Sequence, residues 1–181
     1  MTFKNASHLK MINANTLKIL AMLFMLLDHL WATIIPGNQW MTFVGRLAFP
    51  IFAFQIAEGL IHTTDFRKYA RRLFLFAILS EIPFNLFYSG ALIYPFHQNV
   101  LFTLLLGLFA IKSLDRLKAE TSLKNLSFSI ITLLVTTIVA AFGFTDYGAT
   151  GVLTIVAFYL FRDFPFAWLF QLVSMYLLHA H

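Results

Sequence analysis

Long apolar runs separated by short polar clusters divide the chain almost from end to end. A helix needs about 20 apolar residues to cross a bilayer, and runs of that order recur. The first reads Leu17 to about Ile35 and stops at Pro36-Gly37-Asn38, a turn signal. The second extends from about Trp40 to Leu60, the third from about Leu73 to Tyr88, and the fourth from about Val100 to Ile111. After the charged stretch Lys112 to Lys124 come a fifth run, about Leu126 to Phe144, a sixth, about Gly148 to Phe161, and a seventh, about Pro165 to Leu178. The fourth is short unless it begins nearer Gln98, and the sixth fits a re-entrant segment as well as a crossing. The pattern predicts an all-α polytopic integral membrane helix bundle of about six or seven transmembrane helices, in a single domain covering 1–181.

Composition supports the membrane. The chain is 60% hydrophobic and 12% charged, against about 45–50% and 25% in a water-soluble domain. This excess is more than a core of this size can bury. It also excludes a disordered chain, and the absence of Cys excludes a disulfide-stapled module. A net charge of +5 would suggest nucleic acid in a soluble protein, but in a membrane protein basic residues gather in cytoplasmic loops. Lys4, Lys10 and Lys18 precede the first run or open it, Arg67, Lys68, Arg71 and Arg72 follow the second, Lys112, Arg116, Lys118 and Lys124 follow the fourth, and Arg162 follows the sixth. All lie on one side if every run crosses, which places the N-terminus in the cytoplasm. Trp31 and Trp40 flank the first outer loop, where interfacial aromatics are expected.

Polar residues inside the runs carry the candidate chemistry, because an ionisable group in the membrane is expensive. Arg46 lies about six residues into the second run, with Asp28 and His29 in the first, Gln55 and Glu58 in the second, and Glu81 and Asn85 in the third. At about 1.5 Å per residue, Asp28, His29, Arg46 and Glu81 fall in the outer half of the bilayer. His97, Gln98, Asn99, Asp146 and Tyr147 stand at the outer mouths of later runs and can roof the same cavity. Asp28 and His29 are consecutive, about 100° apart on a helix, so His29 needs an orienting partner from elsewhere. Asp28 can pair with Arg46 or raise the pKa of Glu81 by repulsion; the sequence leaves both open. Pro83 and Pro50 are expected to break the hydrogen-bond ladders of the third and second runs. Glu58 and His62 read as a solvated helix end, and Arg67, Lys68, Arg71 and Arg72 as a positive-inside signal that also suits the phosphates of a nucleotide. His179 and His181 read as inert. No metal-ligand spacing, Gly-rich phosphate loop or nucleophile elbow is present, and no metal is expected. Of all these residues, His29 is the strongest chemical candidate.

The runs LKILAMLFMLLDHL (17 to 30), GRLAFPIFAFQIAEGLIHTTDFRKYARRLFLFAILSEIPFNL (45 to 86), HQNVLFTLLLGLFAI (97 to 111) and DYGATGVLTIVAFYLFR (146 to 162) resemble the TraX-like family of bacterial integral membrane proteins. The family is named for a conjugation protein that N-acetylates pilin subunits, and it is similar to a wider set of transmembrane acyltransferases that use acyl-CoA. The resemblance implies an acyltransferase of the bacterial cytoplasmic membrane, with a catalytic His on an early span. At matching positions it implicates Asp28, His29, Arg46, Glu58, Glu81, Gln98 and Asn99. Family members commonly continue into further hydrophobic sequence with Asn-Gly and Tyr-Pro-x-His runs, whereas this chain ends at His181, so a short or truncated member is expected.

The leading expectation is therefore transfer of an acetyl group from acetyl-CoA, or of another acyl group from its acyl-CoA, to an amine or hydroxyl. His29 would be the general base, with Asp28, Arg46 and Glu81 in the catalytic group, and Arg46 or Asn99 at the developing oxyanion. Glu58, Asn85, His97, Gln98, Asn99 and Asp146 are the expected substrate-binding residues. Arg67, Lys68, Arg71 and Arg72 would meet the donor's phosphates, with the pantetheine arm reaching into the membrane. Expected partners are membrane lipid, the acyl donor and an acceptor that is a peptide, a glycan or a small molecule; nucleic acid is not expected. A proton-coupled transporter built on Asp28, His29, Glu58 and Glu81, and a non-catalytic membrane scaffold, stand as alternatives.

Overall fold

A computed structural model describes residues 13–35, 37–164, 169, 171–173 and 176. The described residues form seven helices and no strand: α1 (Ala14–Thr33), α2 (Gln39–Gly45), α3 (Ala48–His62), α4 (Phe66–Ser89), α5 (Val100–Ala119), α6 (Leu123–Phe142) and α7 (Gly148–Phe161). Among the described residues, three segments are long and apolar enough to cross a membrane: Ala14–Thr33, Gln39–His62 and Leu123–Phe142. The protein is a helical membrane protein. Lys4, Lys10, Pro36, His179 and His181 lie outside the described residues, as does most of the expected seventh run. The chain divides into two compact units, Met1–Gln55 and Ile56–His181, with the boundary inside α3.

In the first unit, Asn13 opens α1 by accepting a 2.7 Å hydrogen bond from the Thr16 backbone N–H through its side-chain oxygen, which satisfies one of the donors every helix start leaves bare. The expected second run is two helices, α2 and α3, separated by a turn at Arg46 and Leu47. As expected, Pro50 interrupts the hydrogen-bond ladder of the run: it occupies the first turn of α3, where a missing N–H costs nothing. Its ring excludes the helical position of the carbonyl four residues earlier, which is that of Arg46, so the interruption falls there.

In the second unit, α5 packs against α4, α6 and α7, and α6 against α7. The shorter helix is the better buried one. α7 has 14 residues, about 21 Å at 1.5 Å per residue, less than the roughly 30 Å of hydrocarbon. Gly151, Val152 and Thr154 through Tyr159 are all buried. Helix α6 shows the opposite arrangement. Ile130, Ile131, Leu134, Val135, Ile138 and Val139 form an exposed apolar stripe, whereas Asn125, Ser129, Thr136 and Ala140 face inward. In water this order would be unstable; in lipid it is what packing favours, because small and weakly polar residues allow close approach and inter-helix hydrogen bonds. Ser129 Oγ donates to the Ser113 carbonyl at 2.8 Å, joining α6 to α5.

Helix α4 starts at Asp65, whose carboxylate accepts from the Lys68 N–H at 2.9 Å, and ends at Gly90 in the left-handed conformation, φ 71°. As the run to about Tyr88 predicts, the helix passes through Pro83 and continues six residues further to Ser89. Helix α5 is 20 residues long, but its last turns carry Lys112, Asp115, Arg116 and Lys118, so only its first part is apolar.

At Gly107 α5 and α7 approach closely: a Cβ there would stand 3.1 Å from Ile155 Cβ and crowd the rest of that side chain. Gly107→Leu is expected to destabilise the protein by about 1–3 kcal/mol through overpacking, read as a lower thermal midpoint in detergent. Ile155→Ala should partly restore it, and an unchanged midpoint in the single variant would show that the two helices are not in contact there.

Candidate functional site

The first unit holds Asp28, His29 and Arg46. Asp28 Oδ1 accepts a 2.6 Å hydrogen bond from Thr42 Oγ1 on α2. The contact is possible because Gly45 has no side chain: a Cβ at that position would lie 2.5 Å from Asp28 Cβ and 2.9 Å from its Cα. α1 and α2 therefore meet backbone to backbone at Asp28. This corrects one of the two expected pairings, since among the described residues no ion pair joins Asp28 to Arg46. Arg46 is exposed at the α2–α3 turn. His29 is half-buried on α1, one turn before its end, and its backbone carbonyl accepts from Thr33 Oγ1 at 2.8 Å. Thr42 and Gly45 were not foreseen as partners of Asp28. Their only signal is their spacing, three residues apart in Thr-Phe-Val-Gly, which puts both on one face of a helix.

The second unit collects Glu81, Asn85, His97, Gln98, Asn99 and Asp146 where the end of α4 meets the start of α5 and the start of α7. Asn99 is the joint. Its side-chain oxygen caps α5 by accepting from the Leu101 N–H at 3.0 Å. Its amide Nδ2 donates to Glu81 Oε2 at 2.5 Å and to the Ala77 carbonyl at 2.8 Å, and its backbone N–H reaches Glu81 Oε2 at 3.4 Å. Gln98 runs alongside Thr145 as an isolated parallel bridge: its N–H donates to the Phe144 carbonyl at 2.8 Å and its carbonyl accepts from the Asp146 N–H at 2.9 Å. The turn 144–147 is held in a demanding shape, with Phe144 at φ 54° and Tyr147 at φ 63°, a region non-glycine residues enter at a cost. Thr103 on α5 donates to the carbonyl of Asp146 and lies 3.0 Å from Thr145 Oγ1.

His97 Nε2 stands 3.8 Å from Asp146 Oδ1. Its ring stacks on Tyr88 with centroids 4.4 Å apart and on Phe84 at 5.5 Å. Phe84, Tyr88, Thr103 and Thr145 are site residues that the sequence does not single out as candidates. Phe84 and Tyr88 could have been found, because they share the helical spacing of Glu81 and Asn85.

Glu58 does not join this group. It pairs with Arg162 just past α7, Nε to Oε1 at 2.5 Å, and with His62 at 3.4 Å. Hydrogen bonding to Glu58 holds the Arg162 guanidinium above its usual pKa, and the hydrogen bond from Lys118 holds Asp163 below the usual carboxylate range. A pairing across 104 positions leaves no trace in sequence spacing. Tyr69 places its hydroxyl against Gly59, and burial pushes its pKa up to about 12. Arg67, Lys68, Arg71 and Arg72 are exposed on the first turns of α4, open to an anionic ligand.

Comparison with known proteins places these residues in context. The sequence model of the family described as TraX protein matches residues 13–180. A relative from Dichelobacter nodosus, described as a probable fimbrial assembly protein FimC of serogroup H1, is 34% identical over 110 residues, covering 55% of this chain and 45% of the relative. The match thus spans just under half of that relative's length. No solved structure matches the chain.

Asn99 caps one helix and satisfies two groups of another. Asn99→Leu is expected to cost about 2–4 kcal/mol, the sum of a lost cap and unsatisfied buried acceptors, while Asn99→Ser, which keeps the cap, should fall between. Equal unfolding midpoints for Asn99→Leu and wild type would refute the joint.

Proposed function

The chain belongs to the TraX family, and on that premise we propose that it is an acyltransferase of the bacterial cytoplasmic membrane, moving an acetyl group from acetyl-CoA to an amine or hydroxyl. The observation that carries this reading is the setting of His29: a half-buried imidazole on a membrane-length helix, next to an Asp28 fixed by Thr42 and Gly45. Transfer needs a base whose ordinary pKa lies near neutrality, and among side chains His meets that need. The acceptor's lone pair attacks the thioester carbonyl as His29 takes its proton. The tetrahedral oxyanion then collapses, the C–S bond breaks, and the imidazolium returns the proton to the departing CoA thiolate. Asp28 holds the end of α1 against α2, so it positions the helix that carries His29. Arg46, in the same unit as His29, supplies a cation for the oxyanion, and the exposed Arg67, Lys68, Arg71 and Arg72 suit the phosphates of an acyl-CoA by charge.

The basic residues before α1, after α3, and at the ends of α5 and α7 support an N-terminus in the cytoplasm. The description of the Dichelobacter relative as a fimbrial assembly protein supports searching for the acceptor among proteins of a surface fibre. Substrate would then be a peptide amine or hydroxyl met at the membrane.

The chain contains no Cys, so CoA released from acetyl-CoA is read by a thiol reagent without background. Wild-type protein given a pool of peptide amines, amino sugars and alcohols should release CoA, and His29→Ala should lower the rate by about 10²–10⁴-fold, the usual contribution of a general base. Full activity in that variant, with its fold intact, would remove His29 from the mechanism. Accumulation of a solute in proteoliposomes driven by a pH gradient, without CoA release, would favour transport instead.

A further inference from the structure

In the second unit a cavity of about 590 Å³ lies between the later turns of α5 and α7 and the start of α6. Its volume falls within the roughly 300–1,000 Å³ typical of small-molecule sites. Leu114 and Leu117 of α5, Leu126 of α6 and Leu160 of α7 give it apolar walls, and the buried Tyr159 adds to them. The Tyr159 hydroxyl donates to Asp115 Oδ1 at 3.0 Å, so its polar tip is already engaged. Lys118, Thr121 and Ser122 line the cavity where α5 gives way to α6. One end is therefore polar, and the rest is lined by leucines and a buried tyrosine.

Position and charge together select the occupant. Leu126 and Leu160 are exposed, and Leu126 stands four residues before Ile130, at the head of the apolar stripe that α6 turns outward. A ligand therefore enters from the bilayer. The segment 112–124 carries four cations, Lys112, Arg116, Lys118 and Lys124, against two acids, Asp115 and Glu120. Asp115 is occupied by Lys112 and Tyr159, and Glu120 accepts from Asn125. Among the described residues no ion pair engages Arg116 or Lys124. Lys118 meets Asp163 at 2.9 Å with its side chain 71% exposed, and an ammonium has three donors, so it has donors to spare. The hydroxyls beside it are committed: Thr121 Oγ1 donates to the Leu117 carbonyl, and Ser122 Oγ accepts from the Asn125 N–H at 3.2 Å. The polar end of the cavity is thus suited to an anion.

We propose that this cavity binds one anionic glycerophospholipid, with an acyl chain along Leu114, Leu117, Leu126 and Leu160 and the phosphate at Lys118. Arg116 and Lys124, close by in the chain, add attraction for a net negative headgroup. A free phosphate has nothing to lay against the leucines, and a lipid without net charge gains little from the cations. A Lys or Arg beside the membrane surface contributes about fivefold to the affinity for anionic lipid, which sets the scale of the effects below. The site lies in the unit Ile56–His181, away from the unit that holds His29, and its test needs no turnover. Its failure would leave the acyl-transfer reading untouched.

The test takes the full chain, delipidated in a non-ionic detergent, and titrates it with dioleoyl phosphatidylglycerol, dioleoyl phosphatidylcholine and chain-free glycerol phosphate, counting bound molecules by native mass spectrometry. Phosphatidylglycerol should bind at least fivefold more tightly than either of the others. Lys118→Gln should lower that affinity about fivefold, and Lys118→Arg should keep it. Asp163→Asn breaks the same ion pair but leaves the cation, so it should bind as tightly as wild type or more so. A loss in Asp163→Asn equal to that in Lys118→Gln would show that the lysine serves the ion pair and not a phosphate, and would overturn the proposal. Leu126→Trp fills the cavity from its exposed edge and should weaken binding at least fivefold. Lys18→Gln removes the same charge from the other unit and should change affinity less than twofold. Absence of bound phosphatidylglycerol, equal binding of phosphatidylcholine or glycerol phosphate, or an equal loss in Lys18→Gln would each overturn the site, as would unchanged affinity in Lys118→Gln or in Leu126→Trp.

Discussion

A polar group without access to water must find its partner within the protein, and Asn99 shows how much of one region rests on that constraint. Its single side chain opens α5, holds a carbonyl of α4 and fixes one oxygen of Glu81. The parallel bridge between Gln98 and Thr145, one residue away, brings the turn before α7 to the same place. Neither connecting segment has a regular structure of its own. Each is ordered because its backbone groups pair with the other, which is the condition for irregular backbone at membrane depth. The positive φ values of Phe144 and Tyr147 are sustained by those pairings.

The same constraint separates the two kinds of charge in the second unit. Where Lys112, Asp115, Lys118, Glu58, Arg162 and Asp163 occur, acids and bases meet: Lys112 with Asp115 at 2.9 Å, Lys118 with Asp163 at 2.9 Å, Arg162 with Glu58. Around Glu81 and Asp146 the sequence supplies acids and a histidine but no Lys or Arg.

Close approach is the other means by which the helices hold together. Lipid tails are as apolar as Leu, so contact between helices must come from packing. Gly45 brings α2 onto the backbone of Asp28, Gly59 receives the Tyr69 hydroxyl, and Gly107 receives Ile155. Bulk goes outward, as on α6, where branched side chains face away from the protein and Ser129 and Thr136 face in.

The sequence by itself determined the helices and their membrane character. Apolar runs with turn signals between them located α1, α6 and α7 to within about three residues, because the lack of water leaves backbone groups no alternative to pairing within the segment, whereas α4 begins seven residues before its run, α5 continues eight residues past its run, and the second run is two helices. It also named Glu81, Asn85, His97, Gln98, Asn99 and Asp146 as polar residues in apolar surroundings, which is a property of composition and visible in one dimension. Tertiary structure alone decided who meets whom. It gave Asp28 to Thr42 and not to Arg46, and sent Glu58 to Arg162. Those outcomes depend on distances between helices, and a hydrogen bond that must close within about 3 Å is set by packing that no spacing along the chain records.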